Sequence, residues 1–219
     1  MRDLHCHILP GVDDGARDLD ESLAMLETAK AVGITSITCT PHCRSPYFDF
    51  DAMWDAYDEL VRHAGGFPLQ MGFEVNHTKL MELGLSEWAD RLHFDGSDEF
   101  LLELEVGATA ADFRTYERTI FELQGRGYHV IIAHPERYKA IQRDPSLARS
   151  LRRMGCSLQA SADFVAGGRL GGKGRRTAIK LFDDLAYDYI ASDAHRVEHY
   201  RWLAQACERY AVRGKHRAP

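Results

Sequence analysis

The chain has no run of about 18 apolar residues, the length that a membrane-crossing helix requires. Nor does it open on the apolar stretch of a secretory leader, because Met1 runs straight into a polar, histidine-containing segment. The expectation is a soluble, cytoplasmic protein with no membrane insertion. A cationic excess is also missing. The 219 residues carry 27 Lys and Arg against 33 Asp and Glu, and the net charge of −6 argues against general nucleic-acid binding. The five cysteines (Cys6, Cys39, Cys43, Cys156, Cys207) are odd in number and irregularly spaced. They suit a reducing compartment rather than a disulfide framework. There is no Pro/Gly/Ser-rich linker and no internal repeat. The chain therefore reads as one domain over residues 1–212 with a basic, fraying tail over 213–219.

What is present is an alternation of short β-branched runs with helical periodicity. Strands are expected at Leu4–Ile8, Ser36–Thr40, Leu69–Val75, Phe100–Val106, His129–Ala133, Ser157–Ser161 and Tyr189–Ser192. Helices are expected at Leu19–Val32, Asp51–His63, Ala110–Arg126, Ser146–Met154, Arg175–Leu185 and Glu198–Tyr210, with an extra helix and loop at Leu80–Phe94. Seven strands alternating with helices imply a mostly parallel α/β sheet. The glycine-rich stretch Phe164–Lys173 reads as a surface connection, with a lid as the alternative.

Metal-type residues fall at the strand ends. In Asp3-Leu4-His5-Cys6-His7, the two histidines share a strand face while Leu4, Cys6 and Ile8 point away into packing. Pro10-Gly11 breaks that strand, and Asp13-Asp14-Gly15 brings carboxylates back to the same mouth. His42 ends the second strand, Glu74 the third, His134 the fifth, and Asp193 with His195 the seventh. Glu103 lies inside the fourth, where an unpaired carboxylate is expensive to bury. Glu103 is preferred over Glu105, which sits nearer the strand's end. Parallel α/β sheets build their sites at the carboxyl ends of strands. Convergence of these groups on one edge points to a polynuclear metal site. His63, His93, His129, His199 and His216 fit helix surfaces, loops or a strand's far side, and His77 lines the mouth without ligating.

With these residues assembled, the sequence resembles the polymerase and histidinol phosphatase (PHP) family of metal-dependent phosphoesterases. Within that family it is most similar to the bacterial protein-tyrosine phosphatases encoded with capsule and exopolysaccharide synthesis. The pieces that carry the resemblance run from residue 3 to residue 195: Asp3–Ala16, Thr40-Pro41-His42, Gly72–Val75, Leu102-Glu103, Ala133–Tyr138 and Ala191–His195. The resemblance implies a distorted seven-stranded (β/α) barrel holding three divalent metals at its mouth. It implies His5, His7, Glu74 and Asp193 at a first metal, Glu74, Glu103 and His134 at a second, and Asp14, His42 and His195 at a third. Oxygen and imidazole ligands suit Mn²⁺, Fe or Zn²⁺ and disfavour a thiolate site; manganese is what the subgroup suggests. The implied partner is a phosphotyrosine protein, an autophosphorylating tyrosine kinase controlling polysaccharide export. Relatives often carry an arginine followed by two prolines after the last motif histidine. Here Tyr200, Arg201 and Trp202 occupy that stretch, so Arg201 and Arg196 both stand as the second phosphate-binding arginine. Cys43 stands where many relatives have a second histidine.

Clustered metals lower the pKa of a bound water and clamp a phosphoryl group. Arg137 is expected to fork onto the phosphate, since a guanidinium matches it in a bidentate way. Asp14 and His42 are expected to assist the leaving oxygen. Tyr138, Tyr47 and Phe48 read as an aromatic rim or as core. A small-molecule phosphatase, for example acting on histidinol phosphate, and a non-catalytic metal-stabilised scaffold are the alternatives. Cys207 and Arg213 match the C-x₅-R spacing of cysteine-dependent phosphatases, but helix formers fill the interval and the match reads as chance.

Overall fold

A computed structural model of the chain describes residues 1–166 and 172–210. Its strands are β1 (Arg2–Cys6), β2 (Ser36–Cys39), β3 (His42–Cys43), β4 (Leu69–Met71), β5 (Glu74–Asn76), β6 (Glu99–Glu103), β7 (His129–Ala133), β8 (Ser157–Ser161) and β9 (Tyr189–Ala191). Its helices are α1 (Leu19–Ala31), α2 (Phe50–His63), α3 (His77–Leu83), α4 (Leu85–Leu92), α5 (Phe113–Gly125), α6 (Lys139–Arg143), α7 (Ser146–Arg153), α8 (Asp163–Ala166), α9 (Gly172–Asp183) and α10 (Val197–Arg209). A 3-10 turn covers Pro135–Arg137. Capping chemistry sets the helix starts: Asp18 accepts from the Glu21 N–H and Asp49 from the Ala52 N–H. Each such cap is worth about 1 kcal/mol. The expected single element at Leu80–Phe94 is two helices, because Gly84 takes φ +92 between them.

All strand pairings are parallel. They form a three-stranded sheet, β1-β2-β4, and a six-stranded sheet, β3-β5-β6-β7-β8-β9. Seven strands were expected; the third, Leu69–Val75, is broken in two, and a short strand, β3, follows beyond the expected end of the second, Ser36–Thr40. Pro41 cannot donate to a ladder and separates β2 from β3. Gly72-Phe73 separates β4 from β5. Gly72 sits so close to Phe94 that a Cβ there would lie 2.4 Å from its ring. The first strand of the smaller sheet meets the last of the larger one: the His7 N–H donates to the Ala194 carbonyl and the Asp193 N–H to the His5 carbonyl, each at 2.8 Å.

Alternation along the strands divides the core. On β6 and β7, Phe100, Leu102, Val130 and Ile132 pack outward into the large cluster under the helices. Leu101, Ile131 and Ala133 pack inward with Leu4, Phe94 and Ala191. Glu103 has the parity of Leu101, so it surmounts the small inner cluster. The inner face thus turns from apolar to polar at the carboxyl ends of the strands. The tail 213–219, the end of the expected 1–212 domain and the glycines Gly167, Gly168 and Gly171 lie outside the described residues.

Candidate metal centre

β1 carries His5, and His7 follows one residue past its end; their Nε2 atoms are 3.3 Å apart. The loop after them closes on His7, with the Ala16 N–H donating to the His7 carbonyl at 3.0 Å. Only glycine fits at position 15, where a Cβ would lie 1.9 Å from that carbonyl oxygen. This closure turns Asp13 and Asp14 to different tasks. Asp13 accepts from His7 Nδ1 (2.8 Å) and from the His42 N–H (3.0 Å). Asp14 Oδ1 lies 3.2 Å from His42 Nε2 and 3.3 Å from His195 Nε2.

Glu74 is the hub. Oε1 lies 2.6 Å from His134 Nε2 and 3.4 Å from His5 Nε2; Oε2 lies 2.6 Å from His42 Nδ1 and 3.5 Å from His7 Nε2. Asp193 Oδ1 lies 3.5 Å from His7 and 3.7 Å from His5. Glu103 lies 3.9 Å from His134 Nε2. Among the described residues, three groups have ligand atoms within 4.8 Å of one another: His7, Asp14, His42 and His195; His5, His7 and Glu74; His42, Glu74 and Glu103. Every expected ligand is in this assembly, and every one except Asp14 is buried. His134 and Asp193 reach it from left-handed backbone, at φ 30 and 48. Such strain in a non-glycine residue persists where the surroundings hold it, characteristically at functional sites.

These donors fit a divalent cation. His5 Nδ1 donates to Gln159 Oε1, His7 Nδ1 to Asp13, and His195 Nδ1 to the Asp193 carbonyl. Each outward bond leaves the Nε2 lone pair facing the other ligands, the arrangement that orients metal-binding imidazoles. Asp14 Oδ1, His42 Nδ1, Glu74 Oε2 and His134 Nδ1 are buried without a hydrogen bond of good geometry, although His42 Nδ1 and Glu74 Oε2 lie 2.6 Å apart. Charge is correspondingly unbalanced. Burial disfavours an ionised Glu74, yet the imidazoles of His5 and His42 hold its carboxyl well below the usual range. Burial also opposes a charged His42, but Glu74 and Asp14 lift it to about 10. Glu103 is pushed up to about 7 by burial and then by Glu74. His134 is pushed down to about 4 by burial and by Arg137.

The arginines divide. Arg137 Nη2 donates to Asp193, to Asp163 (3.2 Å) and to Ser161 (3.1 Å), while its Nε–H has no acceptor among the described residues. Arg196 spends Nη1 on the carbonyls of Asp14 (3.1 Å), Gly15 (2.6 Å) and His195, tying the first loop to the last strand end. Arg201 is exposed on α10 and is not brought to the assembly. The sequence reading missed Arg44, whose Nη2 lies 2.9 Å from His42 Nε2 and 3.7 Å from Asp14. It also missed Asp13 and Gln159 as orienting groups. Gln159 gave little signal, being one of three polar residues that alternate with Leu158 and Ala160 in β8. Tyr138 is core: its hydroxyl accepts from the Leu104 N–H and donates to the Ala133 carbonyl. Phe48 packs against Phe73 and Trp88, whereas Tyr47 stacks 5.8 Å from His42. His77 bonds Thr119, and Glu105 bonds Thr78 away from the cluster. His199 is buried rather than on a helix surface, because the His195 N–H donates to it.

Fold and site together define a class: a parallel α/β protein with a cage of imidazoles and carboxylates at the carboxyl ends of its strands. Comparison with known proteins narrows it. Residues 1–217 match the family described as "Capsular polysaccharide synthesis, CpsB/CapC", and the chain belongs to that family. It is 31% identical over 204 residues to the tyrosine-protein phosphatase YwqE of Bacillus subtilis (strain 168), spanning 90% of this chain and 78% of the relative. It is 31% identical over 205 residues to the putative tyrosine-protein phosphatase CapC of Staphylococcus aureus, with the same coverage. A crystal structure reported for YwqE from Bacillus subtilis and CpsB from Streptococcus pneumoniae, described as unique metal-dependent tyrosine phosphatases, superposes with a TM-score of 0.78. That match is at 28% identity and covers 95% of this chain and 87% of the other.

Proposed function

We propose that this chain is a metal-dependent tyrosine phosphatase acting on a phosphotyrosine protein in capsular or exopolysaccharide synthesis. The observation that carries the reading is the convergence of His5, His7, Asp14, His42, Glu74, Glu103 and His195, with His134 and Asp193 in contact with them and every one but Asp14 buried. Family membership and the similar phosphatases support it. Our reading assigns three divalent ions, manganese first, to those nine residues. Bound there, divalent ions supply a nucleophile at neutral pH and neutralise phosphoryl charge. The chain's own groups do the rest. Asp13, Gln159 and the Asp193 carbonyl fix the imidazole tautomers. Asp163 and Ser161 brace Arg137, whose side chain stays partly exposed and is the cation we assign to a phosphoryl oxygen. Asp14, the most exposed of the carboxylates, and His42 are the groups we assign to assisting the leaving oxygen, by orienting a water toward it rather than by giving up a proton of their own. Arg44 meets side chains of the cluster, so we prefer it to Arg196 and Arg201 as the second phosphate cation.

The finer architecture belongs to the same reading. β2 with β3, and β4 with β5, act as two broken staves of a seven-stave distorted barrel, in one domain over 1–212 followed by a basic tail. The partner is an autophosphorylating tyrosine kinase, and the compartment is the cytoplasm. The test is a substrate panel after chelation and re-addition of Mn²⁺, Fe²⁺ or Zn²⁺: phosphotyrosine peptide, p-nitrophenyl phosphate and histidinol phosphate. Metal-restored turnover of the peptide is expected. Preference for histidinol phosphate, or no turnover at all, refutes it.

A further inference from the structure

The groove between α6 and α9 is lined by charge of one sign, with Gln142, Pro145 and Thr177 as its uncharged walls. It encloses about 520 Å³ and is lined by Lys139, Arg143, Lys173, Arg176 and Lys180 with no carboxylate among its walls. This local excess runs against a chain of net charge −6. Lys180 has a partner, Asp184, at 3.6 Å. Lys139, Arg143, Lys173 and Arg176 are exposed and have no carboxylate within ion-pair distance among the described residues. Four unpaired cations around one concavity repel each other, and a lining of one sign focuses the field outward.

The groove adjoins the candidate metal centre. Lys139 follows Arg137 by two residues, and α9 packs on both α6 and the turn that carries Arg137. Gln142, in the groove wall, donates to the carbonyls of Glu136 (2.9 Å) and Arg137 (3.4 Å). The groove wall is thus hydrogen-bonded to the segment presenting the arginine. A polypeptide with its phosphotyrosine beside Arg137 has this groove as a neighbouring path. Resting on the phosphatase reading above, we infer that the α6–α9 groove docks an acidic segment flanking the phosphotyrosine of the protein substrate. Carboxylates there meet cations that no carboxylate among the described residues compensates, which speeds encounter and fixes register.

The experiment uses two phosphotyrosine peptides differing only in a flank of Glu or of Gln, and p-nitrophenyl phosphate, which has no flank. Wild type is compared with a variant carrying Lys139→Gln, Arg143→Gln, Lys173→Gln and Arg176→Gln, all at exposed positions. At low salt, wild type is expected to prefer the Glu peptide by about tenfold or more in kcat/KM. The variant should bring that ratio near one, with p-nitrophenyl phosphate turnover unchanged. Added salt should shrink the wild-type ratio, since exposed charges are screened. A wild-type ratio near one, or a ratio that survives in the variant, overturns the inference. So does binding to phosphatidylglycerol vesicles that the variant loses while the peptides are not distinguished; the groove is then a lipid site. Fluorescence anisotropy of the labelled Glu peptide reads docking without turnover. A protein that hydrolyses nothing yet binds this peptide through the four cations fails the phosphatase reading and keeps the groove.

Discussion

Replacing Glu74 by Ala removes the one carboxylate that meets four imidazoles, at 2.6, 2.6, 3.4 and 3.5 Å. Asp14 meets two, at 3.2 and 3.3 Å, and its side chain is 36% exposed. If Glu74 bridges two ions, its loss weakens both, whereas Asp14→Ala weakens one. Losing a group that merely orients a ligand costs 10–100-fold in metal affinity. Losing a shared ligand should cost at least about 100-fold at each ion, or about 2.7 kcal/mol per ion. Elemental analysis after dialysis against Mn²⁺ should find fewer ions per chain in Glu74→Ala than in Asp14→Ala, and lower turnover. Glu74→Gln keeps the buried volume and supplies a metal-free readout. Glu74 is the first charge lifting His5 to about 9 and His42 to about 10 against burial. In the chelated Gln variant both should titrate lower by nuclear magnetic resonance. Wild-type metal content in Glu74→Ala would refute the shared-ligand assignment.

Two further outcomes are expected. Arg137→Ala should lower kcat/KM by about 10²–10³, as for a lost oxyanion donor. It should also destabilise the chelated protein by about 3 kcal/mol in urea, because buried Asp193 and Asp163 lose their cation; unchanged kinetics and stability would make it a surface arginine. Glu136→Gln should flatten the pH dependence of stability. Burial lifts the Glu136 carboxyl from 4.5 to about 7 despite bonds from the Ser161 N–H and the Tyr187 hydroxyl. The folded state therefore holds the proton more tightly than the unfolded one. Its contribution is complete below pH 4.5 and falls by about 3 kcal/mol as pH rises to 7. Parallel stability–pH curves for wild type and Glu136→Gln, measured in denaturant, would contradict this.

What the sequence disclosed and what it hid follow from the range of the forces involved. Glu103 and His134 were legible because a polar residue at the end of a buried apolar strand needs a partner, and strand periodicity says which face it takes. The broken staves were less legible, since Pro41 and Gly72 interrupt ladders that hydrophobic runs alone would continue. Loop residues were legible in kind but not in role. Asp13 and Asp14 are adjacent, and only the closure of Gly15 onto His7 makes one an orienting group and the other a cage member. Tyr138 follows Arg137 directly, yet the turn at Pro135–Arg137 carries it inward to bond Leu104 and Ala133. Arg44 lies in a loop with no periodicity to read. Its meeting with Asp14 and Glu103 depends on elements distant in the chain.

The thiol chemistry suggested by Cys207 and Arg213 is tested against the metal site by one pair of measurements. A cysteine phosphatase needs a thiolate at the base of a loop whose free backbone N–H groups wrap the phosphate. Cys207 lies inside α10 (Val197–Arg209), where backbone N–H groups are committed to carbonyls one turn back. Partial burial pushes its thiol up to about 11, the opposite of the shift a nucleophile requires. At pH 7 roughly one molecule in 10⁴ would carry the thiolate. Glu208 adds a negative charge beside it, while Arg213 lies outside the described residues. The cage residues make the contrary demand, since their carboxylates and imidazoles converge and all but Asp14 are buried. Cys207→Ser is therefore expected to retain near-wild-type turnover of p-nitrophenyl phosphate, and a strong chelator to abolish turnover in both proteins until Mn²⁺ is restored. A dead Cys207→Ser beside a chelator-resistant wild type would transfer the chemistry to the thiol and leave the histidines of β1 with a structural role alone.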